Sequence, residues 1–440
     1  MNTRLTICAL CIAHSVLASA QWSLRECCDY AVAHNISIKQ QENQRRKQEL
    51  QLSTAKNSRL PDLNAGVSQN FSFGRGLTSE NTYTNTNTSS TSFQLSTSVP
   101  LFTGFQIPNQ IKLNRLNLEA ATADLEKARN DMRMQVAQAY VQILYDLEIA
   151  EVARRQVGID SMQVARLQAF VANGKAAEAE LSQQKATLAN SRLVATQADN
   201  NSRLAILALT QLLELPSPEG FSIVRPETAD SARFAEVAVL TPDLIYAEAL
   251  GIKPEIASQE LRLRAAAHSI KIAQAGNYPT LSLNGGVGTN YYNTSGFKSD
   301  GFGKQLENNF SQYIGLSLSI PIFNRFQTRN SIRSARLDQA NQQLQLDNSK
   351  KTLYKEIQQV YYNALNAREK EVSSAEAVKS SEEAFRLMQA KYENGKATAT
   401  EFNEVKNNYL KSQSDLVQAR YESLYQQALI AFYRGRELAF

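Results

Sequence analysis

The tripeptide Asn-Gly-Lys occurs twice in the sequence and is its most regular polar motif. The two copies lie 221 positions apart, and each interrupts a stretch that is otherwise typical of a long helix. Asn and Gly tolerate the left-handed backbone conformation that ends a helix, so each copy predicts a reversal of the chain. The residues concerned are Asn173, Gly174, Lys175, Asn394, Gly395 and Lys396.

Glutamates follow both tripeptides. Thr398 stands three positions before Glu401, which is the spacing of a capping box at the start of a helix. The first copy has Ala177 in the corresponding place, so capping explains Glu180 less well than it explains Glu401. A capping glutamate is common, and by itself it indicates only where a helix begins.

No other group of side chains is typical of an active site or a metal site. His14, His34 and His268 stand alone, without the spacing of zinc ligands. The sequence contains neither a Gly-x-Ser-x-Gly nucleophile motif nor a Walker loop. We therefore predict that the protein is not an enzyme and uses no metal or cofactor. The net charge of +5 over 440 residues, without a basic cluster among aromatics, predicts no nucleic-acid binding.

The first twenty residues have the pattern of a secretory signal peptide. Arg4 precedes the apolar run LTICALCIAHSVL, which is too short to span a membrane, and small residues at 18–20 precede Gln21. We therefore expect the chain to be exported. No later stretch is apolar enough to predict a membrane-spanning helix.

The chain repeats its own plan at the offset of 221 positions. VPLFTGFQIPNQI (99–111) aligns with IPIFNRFQTRNSI (320–332) at this offset. Each half reads as helix, strand, polar loop, strand, long helix, turn and helix. The predicted divisions are a signal peptide at 1–20, a first repeat at 21–220, an irregular segment at 216–241, a second repeat at 242–435 and a tail at 436–440.

Two very long helices are predicted at 106–172 and 327–393. Both stretches are nearly free of proline and carry apolar or small residues every three or four positions. At 1.5 Å per residue, 67 residues make a rod of roughly 100 Å, for which a compact globular domain has no room. Shorter helices are predicted at 24–57, 175–214, 242–275 and 397–435.

Each half also contains a predicted β-hairpin, at 63–101 and 281–322, around the polar loops 74–91 and 292–312. The strands alternate apolar and polar residues over about ten positions, the length of a tilted transmembrane strand. An open sheet edge leaves backbone groups unpaired in lipid, so four strands in a membrane require several chains to share one barrel. Two soluble hairpins are the alternative. The residues predicted to face lipid are Val67, Phe71, Leu95, Val99, Leu283, Val287, Leu316 and Leu318.

In this combination the chain resembles the TolC-like outer membrane efflux protein family, over residues 22 to 435. The resemblance rests on WSLRECCDYAVAHN (22–35), the LPDL and YPTL strand entries, the VPLF and IPIF junctions and the two glycine turns. It implies a mostly α fold with a β-barrel portion. Three copies would form a 12-stranded outer-membrane β-barrel that continues as a periplasmic α-helical barrel, with 216–241 as an equatorial belt.

The resemblance implies that the protein is the passive exit duct of a tripartite efflux or type I secretion system in a Gram-negative bacterium. The implied partners are two further copies of the chain, a periplasmic adaptor protein, an inner-membrane pump and outer-membrane lipid. A periplasmic coiled-coil scaffold without a pore is the alternative function.

The same resemblance implies roles for the two turns. They would be the tips on which the adaptor docks, and the aperture residues would be Glu180, Tyr392, Glu401 and Glu404. The chain departs from the family pattern in two respects. It has Lys175 and Lys396 where an apolar residue is usual, and glutamate where aspartate is usual.

Overall fold

A computed structural model describes residues 21–77, 81–225 and 241–438. The predicted signal peptide lies outside the described residues. So do positions 226–240 of the predicted irregular segment and the last two residues of the predicted tail.

Helices and strands alternate in the same order in both halves of the chain. The elements of the first half are β1 (Gln21–Trp22), α1 (Leu24–His34), α2 (Ile36–Asn57), β2 (Asn64–Leu77), β3 (Tyr83–Thr103), α3 (Gln106–Ala172), α4 (Glu178–Leu212) and β4 (Ser222–Ile223). Those of the second half are α5 (Pro242–Ile252), α6 (Pro254–Gln274), β5 (Thr280–Thr294), α7 (Phe302–Asn308), β6 (Ser311–Ser319), α8 (Gln327–Glu393) and α9 (Ala399–Tyr433). No helix among the described residues is both long enough and apolar enough to cross a membrane.

The two long helices, α3 and α8, have 67 residues each and begin in the same way. Before α3, Gly104 and Phe105 have φ of 61° and 65°, and before α8, Arg325 and Phe326 have φ of 55° and 64°. Such φ values are uncommon for residues other than glycine, and here they turn the chain sharply from strand into helix. The two halves therefore share this backbone turn although only one of them has glycine at its first position.

Two of the shorter helices are interrupted where the sequence predicts continuous ones. Asn35 separates α1 from α2, and its side-chain oxygen accepts a hydrogen bond of 2.8 Å from the backbone N–H of Ser37. α5 ends at Ile252, Lys253 is extended, and α6 begins at Pro254. A continuous helix is excluded because proline lacks the backbone N–H that it would need and the proline ring clashes with the preceding turn. The continuous helices predicted over 24–57 and 242–275 are thus each divided in two.

The chain forms two compact units. Among the described residues, the first unit lies within Met1–Gln41, Leu125–Lys253 and Lys350–Phe440, and the second lies within Glu42–Asp124 and Pro254–Ser349.

The first unit is built on a core of apolar side chains from α1, α3, α4 and α9. Cys27 and Cys28 lie in this core as free thiols, and burial raises the pKa of each to about 12. Beside them β1 pairs with β4 in parallel, and the Tyr140 hydroxyl lies 3.1 Å from the carbonyl oxygen of Trp22 and 2.6 Å from that of Val224. The N-terminal strand is thereby tied to α3 and to β4.

Alanines and then larger aliphatic residues line the rest of the contact between α3 and α4. Ala150 and Ala153 pack against Ala195 and Ala198, followed by a cluster of Val164, Leu167, Leu181 and Leu188. Alanine lets two helix backbones approach closely, so α3 and α4 form a tight hairpin that ends at the first Asn-Gly-Lys turn.

The second unit contains a four-stranded antiparallel sheet in the order β2-β3-β5-β6. β3 is twice as long as predicted, since pairing with β2 continues as far as Tyr83 opposite Leu77. Most of the predicted loop 74–91 is therefore strand, apart from positions 78–80, which lie outside the described residues. Threonine is β-branched and suits a strand even where no apolar alternation marks it.

The loop predicted over 292–312 also contains regular structure, the short helix α7. β6 ends at Ser319, before Pro321, whereas the hairpin predicted from the sequence extends to 322. Proline removes the N–H that the ladder would need there.

Candidate functional site: the two helix-turn tips

The two Asn-Gly-Lys turns have the same backbone conformation and the same hydrogen bonds. Gly174 and Gly395 have φ of 68° and 69°. In the first turn the Lys175 N–H donates to the Phe170 carbonyl at 2.8 Å, and in the second the Lys396 N–H donates to the Lys391 carbonyl at 2.8 Å. This bond across five residues, with a left-handed glycine inside it, is the Schellman arrangement that ends a helix.

The asparagines and lysines of the turns have different roles. The side-chain amides of Asn173 and Asn394 each donate 2.7 Å hydrogen bonds, to the carbonyls of Ala169 and Ala390. Lys175 and Lys396 contribute only their backbone N–H groups to the turns, and both residues are exposed. The Asn-Gly pair therefore shapes each turn, while the lysine presents a positive charge to its surroundings.

The helices that follow the turns start differently. Thr398 and Glu401 form a capping box, in which the Thr398 N–H donates to Glu401 Oε2 at 2.7 Å and the Glu401 N–H donates to Thr398 Oγ1 at 3.3 Å. These bonds from Thr398 hold the pKa of the Glu401 carboxyl below its usual value. Ala177 at the start of α4 makes no side-chain cap. A carboxylate therefore caps the helix that follows the second turn, whereas no side chain caps the helix that follows the first.

Next to the turns, a cluster of aromatic rings and one arginine joins the helical hairpin α3–α4 to the helical hairpin α8–α9. Tyr392 stacks on Phe402 with ring centroids 4.7 Å apart, and the Arg166 guanidinium lies 5.5 Å from the centre of the Tyr392 ring. Arg166 also donates a 2.7 Å hydrogen bond to the backbone carbonyl of Glu393, the last residue of α8. One arginine of α3 therefore holds the end of the second hairpin by its charge and by its hydrogen bond.

A buried ion pair makes a second link between the hairpins. Asp160 on α3 and Lys406 on α9 are bonded to each other, and their side chains have no exposed surface. Two residues of α4 complete the environment of the carboxylate, with Ser191 Oγ donating at 2.5 Å and Gln184 Nε2 at 3.3 Å. Three helices thus converge on one carboxylate.

The residues predicted to form an aperture are only partly brought together. Tyr392 is half-buried, and burial raises its pKa, with the nearby Glu180 carboxylate adding to the rise and Arg166 opposing it. Glu401 is exposed and engaged with Thr398, and Glu404, one turn further along α9, is also exposed. Within one chain, the Glu180 carboxylate is therefore close enough to Tyr392 to affect its pKa.

The sheet of the second unit presents one apolar face. Its register places all eight residues predicted to face lipid on that face. Val99, Leu283 and Leu316 lie opposite one another across three strands, and Leu95 lies opposite Val287. Val67, Phe71, Leu316 and Leu318 are 60–69% exposed. Much of this apolar face is therefore exposed in the single chain.

Sequence reasoning missed the residues that link the two hairpins. A signal for the ion pair is present, since Lys406 stands between Phe402 and Leu410 at core spacing and Asp160 lies between Val157 and Val164 on α3. A charged residue within an apolar stripe indicates a buried partner. Arg166 has no such signal, because many exposed arginines stand on long helices.

Comparison with other proteins identifies this fold. VceC of Vibrio cholerae, an outer membrane protein, superposes with a TM-score of 0.74 over 94% of this chain and 96% of its own, at 19% identity. The CmeC outer membrane channel of Campylobacter jejuni superposes with a TM-score of 0.75 over 95% of this chain and 87% of its own, at 17% identity. These likenesses confirm the predicted fold class, mostly α with a β portion in duplicated halves.

Sequence relatives agree with the structural ones. The pyoverdine export outer membrane protein OpmQ of Pseudomonas aeruginosa is 24% identical over 322 residues, which are 72% of this chain. The match spans 64% of the length of OpmQ. The family model described as outer membrane efflux protein matches residues 28–214 and 245–435. The resemblance predicted from the sequence is confirmed, and the chain belongs to the outer membrane efflux protein family.

Proposed function

We propose that three copies of this chain form the outer-membrane exit duct of a tripartite efflux or type I secretion system. The observation that carries the proposal is the largely exposed apolar face of the four-stranded sheet, whose outer strands β2 and β6 have no further neighbour in the described chain. Exposed edges and an apolar face together favour a lipid environment and pairing with other copies.

The cost of an open edge in lipid supports the trimer. Each unpaired backbone N–H or C=O group costs several kcal/mol in hydrocarbon, so a sheet in a membrane must close. If β2 of one copy pairs with β6 of the next, three copies give twelve strands without an edge. Val67, Phe71, Leu95, Val99, Leu283, Val287, Leu316 and Leu318 then face lipid.

The two tips suit a docking role. Asn173, Gly174 and Lys175, with Asn394, Gly395 and Lys396, form two turns of one geometry, so a single kind of adaptor surface can recognise both. The partners in this proposal are a periplasmic adaptor protein and an inner-membrane pump. The pump supplies the energy, and the chain itself conducts passively without catalysing a reaction.

Planar-bilayer recording tests the proposal. The purified protein is expected to add stepwise conductance to a lipid bilayer, and the outer-membrane fraction is expected to contain a trimer that dissociates on heating. A periplasmic scaffold without a pore would give neither result. Monomers in the soluble periplasmic fraction, with no conductance, would contradict the proposal.

The acidic residues near the second tip are expected to control how cations affect the channel. In a trimer, Glu401 and Glu404 recur three times around one opening, where they concentrate cations. Glu401→Gln with Glu404→Gln is therefore expected to weaken block of the conductance by calcium ions. Glutamine preserves the capping-box geometry, so the turn survives the change.

Thr398→Ala is the matched control for this prediction. It removes the cap, at a cost of about 1 kcal/mol in helix stability, and keeps both charges. We expect calcium block to persist in Thr398→Ala. If calcium block is unchanged in the double glutamine variant, these carboxylates do not act at the aperture.

A further inference from the structure

The segment between β5 and β6, residues 295–310, is folded firmly onto the sheet. Gln305 is 5% exposed, and its side chain bonds to both backbone groups of Tyr292, accepting from the N–H at 3.0 Å and donating to the carbonyl at 3.0 Å. The Asn309 amide donates to the carbonyl of Asn290 at 2.7 Å. The side-chain amide of Gln305 thus satisfies the backbone groups that a neighbouring strand would otherwise pair with. These bonds fix the position of α7 on the sheet.

The side of the sheet to which α7 is attached follows from the register. Thr289 Oγ1 donates to the carbonyl of Leu306 at 2.6 Å, and Phe302 packs on Tyr291 with ring centroids 5.2 Å apart. Val287, Thr289 and Tyr291 are spaced two positions apart along β5, so their side chains lie on the same face of the sheet. The segment 295–310 therefore folds onto the apolar face.

Two aromatic side chains of the segment are about half exposed. Phe302 is 50% exposed, and Phe310, two residues after the end of α7, is 58% exposed. The segment carries two lysines and two acidic residues, and Lys304 pairs with Asp300 at 3.4 Å. Because its formal charge is balanced, attraction of an anionic partner does not explain this surface.

We propose that the segment 295–310 is an interfacial anchor that lies against lipid at the outer rim of the barrel. Aromatic side chains favour the boundary between hydrocarbon and headgroups, where part of each ring is dry and part is wet. The surface of Phe302 is continuous with the apolar face through Tyr291 and Phe93, whose centroid lies 6.4 Å from that of Phe302. This inference rests on the proposed function, because it requires that face to contact lipid.

Tryptophan fluorescence in bromolipid vesicles tests the anchor. The chain has one tryptophan, Trp22, so the unsubstituted protein supplies the background signal. The full-length trimers of Phe302→Trp and Leu95→Trp are reconstituted into phosphatidylcholine vesicles with and without brominated acyl chains. We expect both new tryptophans to be quenched by bromine, and Trp at position 302 to respond most to bromine placed near the headgroup.

Gln94→Trp is the matched control, since position 94 is next to Leu95 on the opposite face of the same strand. We expect it to resist bromolipid and to be quenched by iodide in water. If Leu95→Trp is quenched by bromine while Phe302→Trp responds only to iodide, the segment covers the pore mouth and the anchor is refuted. If neither is quenched by bromine, the proposed membrane face itself is wrong.

Discussion

Replacing Lys406 with methionine is expected to lower the free energy of unfolding by about 3–5 kcal/mol, because the Asp160 carboxylate then remains buried without its cation. Methionine has nearly the same length as lysine, so little volume is lost. The measurement is the midpoint of urea-induced loss of the helical circular dichroism signal in detergent.

Lys411→Met is the control on the same helix. Lys411 pairs with Asp415 at 2.7 Å, but the two side chains are 75% and 50% exposed, and such pairs contribute about 0–1 kcal/mol. Equal midpoints for Lys406→Met and Lys411→Met would show that the buried pair does not stabilise the helical bundle.

Replacing both members of the ion pair with apolar residues distinguishes its effect on the stability of the fold from its effect on the positions of the helices. Asp160→Leu with Lys406→Met is expected to regain most of the lost stability, because two apolar side chains replace two buried charges. The Gln184 amide then lacks its acceptor, which leaves a residual cost of about 1–3 kcal/mol. Such a result would indicate that the pair acts mainly by aligning α3, α4 and α9.

Replacing Gly395 with valine is expected to abolish export while trimers still reach the outer membrane. A β-branched residue disfavours the φ of 69° at this position, so the Schellman bond from Lys396 to Lys391 is lost and the tip changes shape. The strain of about 1–3 kcal/mol is local and too small to unfold the chain. Export is measured as protection of a deletion strain against a toxic substrate of the system.

Gly395→Asn is the control for that prediction, because asparagine tolerates the left-handed conformation. No atom lies within 4 Å of the position that a Cβ atom would take at residue 395, so the added Cβ meets no obstacle. We expect Gly395→Asn to export as the unsubstituted protein does. Full protection by Gly395→Val, with normal amounts of trimer, would refute the assignment of this turn as a docking tip.

Much of the fold follows from local patterns that the sequence carries in duplicate. The helices predicted at 106–172 and 327–393 correspond to α3 and α8, because the capacity of a stretch to form helix depends on its own spacing of apolar residues and its lack of proline. The two turns were recognisable because a left-handed residue has few permitted identities. The strand face was recognisable because side chains alternate with a period of two.

Other features depended on partners far apart in the chain. The extension of β3 to Tyr83 has no apolar alternation and exists because β2 offers a matching ladder. The ion pair joins residues 246 positions apart, so only the packing of α3 against α9 could bring Asp160 to Lys406. The sequence also did not show which face of the sheet α7 contacts, since a polar loop can fold onto either face.

The duplicated order of helices and strands could be predicted from the sequence, as could the two glycine turns and the apolar face of the sheet, because each follows from the conformational preferences of neighbouring residues. The folded chain was needed to show which buried charges pair with each other, which residues link the two helical hairpins and where the segment 295–310 lies. The physical reason is that burial and pairing depend on which distant surfaces meet, and a local pattern specifies a surface without specifying its partner.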